Sequence, residues 1–152
     1  MHVVLVNPLI PQNTGNISRL CAGTDTDLHL VGKLGFSLDD RYLKRAGLDY
    51  WPSVKLHLHE SFDALVAQHA PARLALFSSH ATRPYTAFVP DEDPWFVFGA
   101  ETTGLPPELR ESYRDDLYKI PITANVRSLN LANSVAIVVF DALRQRGFPG
   151  LS

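Results

Sequence analysis

The chain has 152 residues, 45% hydrophobic and 20% charged, which fits one domain spanning residues 1–152 and excludes a disordered chain. Sixteen acidic against fourteen basic residues leave a net charge of −2, excluding a nucleic-acid binder that relies on bulk positive charge. The single cysteine excludes an intrachain disulfide, and no basic leader or apolar run near the ~20 residues of a membrane span occurs, so a cytoplasmic protein without membrane contact is expected.

In chain order, His2-Val3-Val4-Leu5-Val6 reads as a buried strand stopped by Asn7-Pro8. Ile17, Leu20 and Cys21 then fall at helical spacing behind Asn13-Thr14-Gly15-Asn16, with Cys21 on the apolar side. Residues 28–31 form the next strand. Asp39 or Asp40 caps a short helix running to Arg45, with Gly47 just past its end; Arg41, Lys44 and Arg45 give it a cationic face. A strand at residues 54–58 precedes a helix in which Ser61 caps Phe62 to His69. Strands at 73–77, 95–98 and 117–120 follow, the last two separated by a helix that starts at Pro106-Pro107. The last helix runs over about residues 129–146, with Arg144 and Arg146 at its negative end and Gly147 and Pro149 closing it. Alternating strands and helices predict an α/β fold with a mainly parallel six-stranded sheet and helices on both faces. Sites in such sheets lie in loops at the carboxyl ends of strands.

Leu131, Ala132, Val135, Ala136, Val138, Val139, Phe140, Ala142 and Leu143 cover most of the final helix's circumference. A helix apolar nearly all round needs burial on more than one side, which predicts a homodimer.

Three segments carry more polarity than packing explains. Residues 11–19 include Asn13, Gly15, Asn16 and Arg19 at a helix start, where free N–H groups favour an anion; an ordinary Asn-capped turn with Arg19 in solvent accounts for the same string. Phe98-Gly99-Ala100-Glu101-Thr102-Thr103-Gly104-Leu105-Pro106 holds a carboxylate between glycines that allow close backbone approach, and matches neither a dinucleotide fingerprint nor a P-loop. Residues 120–134 run a polar loop with Arg127 and Ser128 into the last helix, whose first turns hold Asn130, Asn133 and Ser134 despite their poor helix propensity. His57 and His59 share one face of a strand but show no third ligand in sequence; a solvated strand face and no metal are expected.

Together the strings Asn13-Thr14-Gly15-Asn16-Ile17-Ser18-Arg19-Leu20-Cys21, Arg45-Ala46-Gly47-Leu48-Asp49-Tyr50, Phe98 to Pro106, and Arg127-Ser128-Leu129-Asn130-Leu131-Ala132-Asn133 resemble the motifs of the SPOUT superfamily of RNA methyltransferases. Within it the chain is most similar to the small tRNA 2′-O-methyltransferases that modify the wobble nucleotide. The resemblance implies a C-terminal trefoil knot, a homodimer, S-adenosylmethionine as cofactor and the tRNA anticodon stem-loop as partner. It implies a cofactor pocket of Phe77, Ser78, Gly99, Glu101, Ile120, Ser128, Leu129 and Asn133. It makes Arg19 the catalytic arginine, poised at the mouth of that pocket in a site shared with the partner subunit, with Asn16, Glu101, Ser128 and Asn130 positioning the ribose or supporting it. Because guanidinium stays protonated in proteins, Arg19 suits stabilisation of a developing alkoxide or a nearby phosphate better than general-base work. Ala100 stands where relatives often carry proline, and Thr103 where a relative carries arginine. Methylation of another RNA, such as a ribosomal guanosine, a non-catalytic RNA-binding module and a flavodoxin-like nucleotide binder are the competing readings.

Overall fold

The computed structural model describes residues 1–39, Arg41, Leu43 and residues 50–152. The cationic helix expected up to Arg45 and most of the string from Arg45 to Tyr50 lie outside the described residues.

Among the described residues, seven parallel strands form one sheet in the order β3-β2-β1-β6-β4-β7-β5. They are β1 (His2–Val6), β2 (Asp27–Val31), β3 (Leu56–His59), β4 (Leu74–Phe77), β5 (Arg83–Pro84), β6 (Trp95–Phe98) and β7 (Leu117–Lys119). Every strand expected from sequence is present, with β3 displaced because a 3-10 turn at Trp51–Ser53 occupies the residues just before Val54. The count of six is corrected to seven by β5, a two-residue edge strand. Pro84 has no N–H to give a ladder, and only an edge position tolerates it.

Alternate residues of the central strands face opposite layers. Val3, Leu5, Leu28, Leu30 and Phe96 meet α1 (Pro11–Gly23) and α4 (Leu131–Gln145). Val4, Val6, Val31, Leu76 and Val97 meet α2 (Phe62–His69) and α3 (Pro107–Ser112). A sheet buried on both faces must read as continuous apolar runs, and β1, β4 and β6 do. Ser61 caps α2 as expected, accepting from the Ala64 N–H at 3.1 Å, and Cys21 is buried in the core.

Two helix starts differ from the sequence reading. Helix α1 begins at Pro11, so Asn13, Thr14 and Gly15 lie within its first turn and are buried rather than forming a loop. Asn130, expected inside the last helix, is its N-cap: its side chain accepts from the Asn133 N–H at 3.2 Å, and Ser134 Oγ donates to the Asn130 carbonyl at 3.1 Å. Poor interior formers are good caps, for the same reason that their side chains compete for backbone groups. In α4, Val135, Val138, Val139, Ala142 and Leu143 are buried, whereas Leu131, Ala132 and Ala136 are half-buried and Phe140 is 47% exposed. Among the described residues no helix is long and apolar enough to cross a membrane.

Candidate active site

The loops that follow β4, β6 and β7 stand at the carboxyl ends of three adjacent strands, and they enclose a cleft of about 820 Å³. Phe77 to His80 supply one wall, Phe98 to Leu105 the second, and Lys119 to Ile122 with Val126 to Leu129 the third. Leu131 and Ser134 of α4 and Arg110 of α3 complete it. The volume lies within the range of cofactor pockets, several hundred to about 1,000 Å³.

The second wall is shaped by a backbone constraint. Ala100 and Gly104 exchange N–H···O bonds of 3.2 and 2.9 Å, closing a tight turn in which Gly104 has φ +70°. The turn folds directly over Gly99, where a Cβ would sit 2.0 Å from the Gly104 carbonyl carbon and 2.1 Å from the Leu105 nitrogen. No side chain fits there. Gly99 therefore sets the depth of the cleft wall.

Glu101 joins that wall to α1. Its carboxylate accepts from the Leu9 N–H at 2.8 Å, the Ile10 N–H at 3.0 Å and the Asn13 side-chain amide at 3.4 Å. Ile10, the N-cap of α1, has no capping side chain, so an acid from 91 residues downstream takes that duty at the positive end of the helix. Asn130 in turn donates to Asn13 Oδ1 at 2.9 Å. The chain Glu101–Asn13–Asn130 thus ties the turn after β6, the start of α1 and the start of α4 into one hydrogen-bonded unit. Asn13 was not among the expected site residues. Its signal was an amide side chain in a helix's first turn, where only a specific partner justifies it.

The remaining expected residues divide cleanly. Phe77, Ser78, Gly99, Glu101, Ile120, Ser128 and Leu129 all line the cleft. Asn133 is exposed and does not line it, and Asn130 acts through its cap and Asn13. Asn16 and Arg19 are exposed on the outer side of α1 and also lie apart from the cleft. Arg19 borders a separate hollow of about 390 Å³ with Ala22, Gly23, Tyr50 and Ser53, so the expectation that it stands at the mouth of the cleft does not hold within one chain. Its guanidinium lies 5.6 Å from the Tyr50 ring centroid, and the Tyr50 hydroxyl donates to the Gly15 carbonyl at 3.1 Å. Burial raises the Tyr50 phenol pKa, against an opposing pull from Arg19.

The cleft also holds residues that sequence reasoning missed. Arg110 and Lys119 line it together with Arg127, giving it cationic side chains despite the chain's net negative charge, and His80 stands beside them. Arg110 lines the cleft with its Nε buried and without a hydrogen-bond partner, and its guanidinium offers N–H donors to an anionic group there. An amino-acid carboxylate and a phosphate both meet that need.

His57 and His59 are not a solvated strand face. His59 is buried, His57 is half-buried against Asp27, and their neighbours are imidazoles from other elements: His29 of β2 and His69 of α2. Burial first, and then the surrounding His57, His2, His59 and His69, push the His29 pKa down to about 2.

A parallel α/β sheet with a cleft formed by the carboxyl-end loops of three adjacent strands places the chain among the open-sheet α/β proteins, whose ligands bind at that edge. The chain belongs to the SpoU rRNA methylase family, whose model matches residues 1–140. It is 47% identical to the tRNA (cytidine(34)-2′-O)-methyltransferase of Burkholderia ambifaria, over 98% of this chain and 97% of the relative. It is similar to a solved structure concerned with the 2-OH methylation of C/U34 on tRNA, with a TM-score of 0.90, 41% identity, and coverage of 96% and 95%. An AdoMet-bound rRNA methyltransferase from Sinorhizobium meliloti shares the fold at a TM-score of 0.83 and 22% identity, over 94% of this chain and 55% of that one. The resemblance read from the four sequence strings is thereby borne out at family level.

Proposed function

We propose that this chain methylates the ribose 2′-hydroxyl of the wobble nucleotide, cytidine or uridine 34, of tRNA, using S-adenosylmethionine. The observation that carries this reading is the convergence of the loops after β4, β6 and β7 on one cleft, in a chain that aligns with a wobble-ribose methyltransferase over nearly its whole length. The cleft's volume and the Arg110 guanidinium fit a cofactor that carries an amino-acid carboxylate. When bound, S-adenosylmethionine supplies an electrophilic methyl group, and the difficult chemistry is its own.

The protein's share is alignment and charge. Phe77, Ser78, Gly99, Ile120, Ser128 and Leu129 form the cofactor walls, while Glu101 and Asn130 hold those walls in register with α1. Orientation of this kind supplies a large part of the rate enhancement when two reactants must meet in line. Arg19 stabilises negative charge developing on the 2′-oxygen or pins the adjacent phosphate, with Asn16 one helical turn before it on the exposed side of α1.

Arg19 lies away from its own chain's cleft, so this role requires a second copy of the chain. One feature supports a homodimer: α4 keeps Phe140 exposed and Leu131, Ala132 and Ala136 half-covered. In the same reading residues 120–130 complete a C-terminal trefoil knot, supported by their place beside the β4 and β6 loops. The 152 residues act as one domain, in the cytoplasm where tRNA is found, and the dimer surface reads the anticodon stem-loop by splaying its bases and sensing the 2′-hydroxyl.

Ribosomal RNA is the competing substrate. Sequence identity favours tRNA: it is 47% to the tRNA-acting relative and 22% to the rRNA methyltransferase, which shares the fold alone. Incubation with methyl-labelled S-adenosylmethionine and either purified tRNA or ribosomal RNA tests the choice. Label in tRNA is the expected result. Label in ribosomal RNA alone would reassign the substrate, and no label with either would leave a non-catalytic RNA-binding module.

A further inference from the structure

The end of the sheet away from the cleft holds a second concentration of chemistry. His2, His29 and His57 stand at neighbouring positions on β1, β2 and β3, with His59 beyond them and His69 closing α2 against the same face. One ring nitrogen each from His29, His59 and His69 lies within 4.8 Å of the others. His29 is fully buried, His59 is 8% exposed, and the buried Nε2 of His69 has no hydrogen-bond partner. An imidazole nitrogen withdrawn from water without a partner is costly to keep, which calls for a ligand.

We propose that His29, His59 and His69 form a binding site for a divalent transition-metal ion of the zinc type, pinning α2 to β2 and β3.

The hydrogen-bond relay behind the cluster suits it. The Asp93 carboxylate accepts from His2 Nε2 at 3.1 Å, which leaves His2 Nδ1 as an acceptor. His2 Nδ1 lies 3.0 Å from His29 Nε2, so His29 must donate there, and its Nδ1 then carries a lone pair. That lone pair accepts from His59 Nε2–H at 2.9 Å, and a shift of the His59 proton to its Nδ1 frees both facing nitrogens for a metal. A ligating histidine whose far N–H is held by a relay ending in a carboxylate is the usual second layer of a metal site. Two donors 2.9 Å apart subtend about 90° at a metal about 2.05 Å from each, and opening to a tetrahedral angle requires only about 0.4 Å more separation. Neutral imidazole donors favour zinc, cobalt, nickel or copper over magnesium or calcium. The other candidate set, His2, Asp27 and His29, is weaker: it holds no buried unpartnered nitrogen such as His69 Nε2, His2 Nε2 is held by the Asp93 carboxylate, and His57 occupies Asp27 at 2.8 Å.

This site stands independently of methyl transfer, and its test uses the full chain without an affinity tag, first treated with a chelator and dialysed. Cobalt(II) titration should give a single saturable equivalent with ligand-field bands in the visible, and zinc should displace it in calorimetry. His69→Ala should abolish the bands while leaving near-ultraviolet circular dichroism unchanged. Asp93→Asn, an exposed change in the relay, should weaken binding by about 10–100-fold. Absence of saturable cobalt absorption in the unaltered protein would overturn the proposal, as would a His69→Ala variant that binds the metal equally well.

Discussion

Replacing Glu101 with glutamine tests the joint between the cleft wall and α1. The native carboxylate receives two backbone N–H groups, at 2.8 Å from Leu9 and 3.0 Å from Ile10, with both oxygens engaged. Glutamine keeps the shape but presents one oxygen and one NH2, so one backbone donor faces another donor. A hydrogen bond to a charged acceptor contributes about 1.5–3 kcal/mol, and a charge at a helix N-terminus about 0.3–1 kcal/mol. Both bonds are open to solvent, which places the loss near the lower end, about 2 kcal/mol. For a chain of this size that is a fall in melting temperature of roughly 4–8 °C. Urea denaturation should show the midpoint shift with an unchanged slope, because the surface exposed on unfolding stays the same. A Glu101→Gln protein within about 0.5 kcal/mol of the parent would refute the capping role.

Other changes probe the remaining parts. Gly99→Ala places a methyl group 2.0 Å from the Gly104 backbone; the turn must open, and S-adenosylmethionine affinity measured by calorimetry should fall at least about tenfold, with about 1–3 kcal/mol of stability lost. Arg19→Lys should lower kcat by about 100-fold with cofactor affinity preserved, since a point charge cannot replace the planar fork. Tyr50→Phe, which removes the bond to Gly15 but keeps the ring beneath Arg19, should lower kcat far less than Tyr50→Ala; equal losses would remove the ring from the account. Burial first, then Asp27, pushes the Cys21 thiol up to about 12, so it should resist a colourimetric thiol reagent at pH 8 until urea unfolds the chain.

Much of the sheet was legible because β1, β4 and β6 are buried on both faces and read as unbroken apolar runs. The edge strand β5 escaped because two residues, one of them proline, carry no periodic signal. The start of α1 was misplaced for a different reason. Its first turn holds Asn13, Thr14 and Gly15, all poor helix formers, and the group that stabilises that turn is Glu101, far along the sequence. Parallel topology placed a site only in the loops at the carboxyl ends of strands; the seven cleft residues could be named individually because the family resemblance carried them over. The sequence could not show that Arg19 stands apart from the cleft of its own chain, because that depends on the rotation of α1, which puts it over Tyr50 on the outer side. The histidine cluster needed the register between β2 and β3 and the seating of α2, and two-residue spacing on one strand contains neither.

The central claim is that the cleft presents a methyl donor to one particular ribose oxygen. The most direct measurement is nuclease digestion and mass spectrometry of unmodified tRNA after incubation with this protein and S-adenosylmethionine. The account predicts one added methyl group, on the ribose of cytidine or uridine 34, formed about 100-fold more slowly with Arg19→Lys. A methyl group on a base, at another nucleotide, or on no nucleotide at all would contradict it.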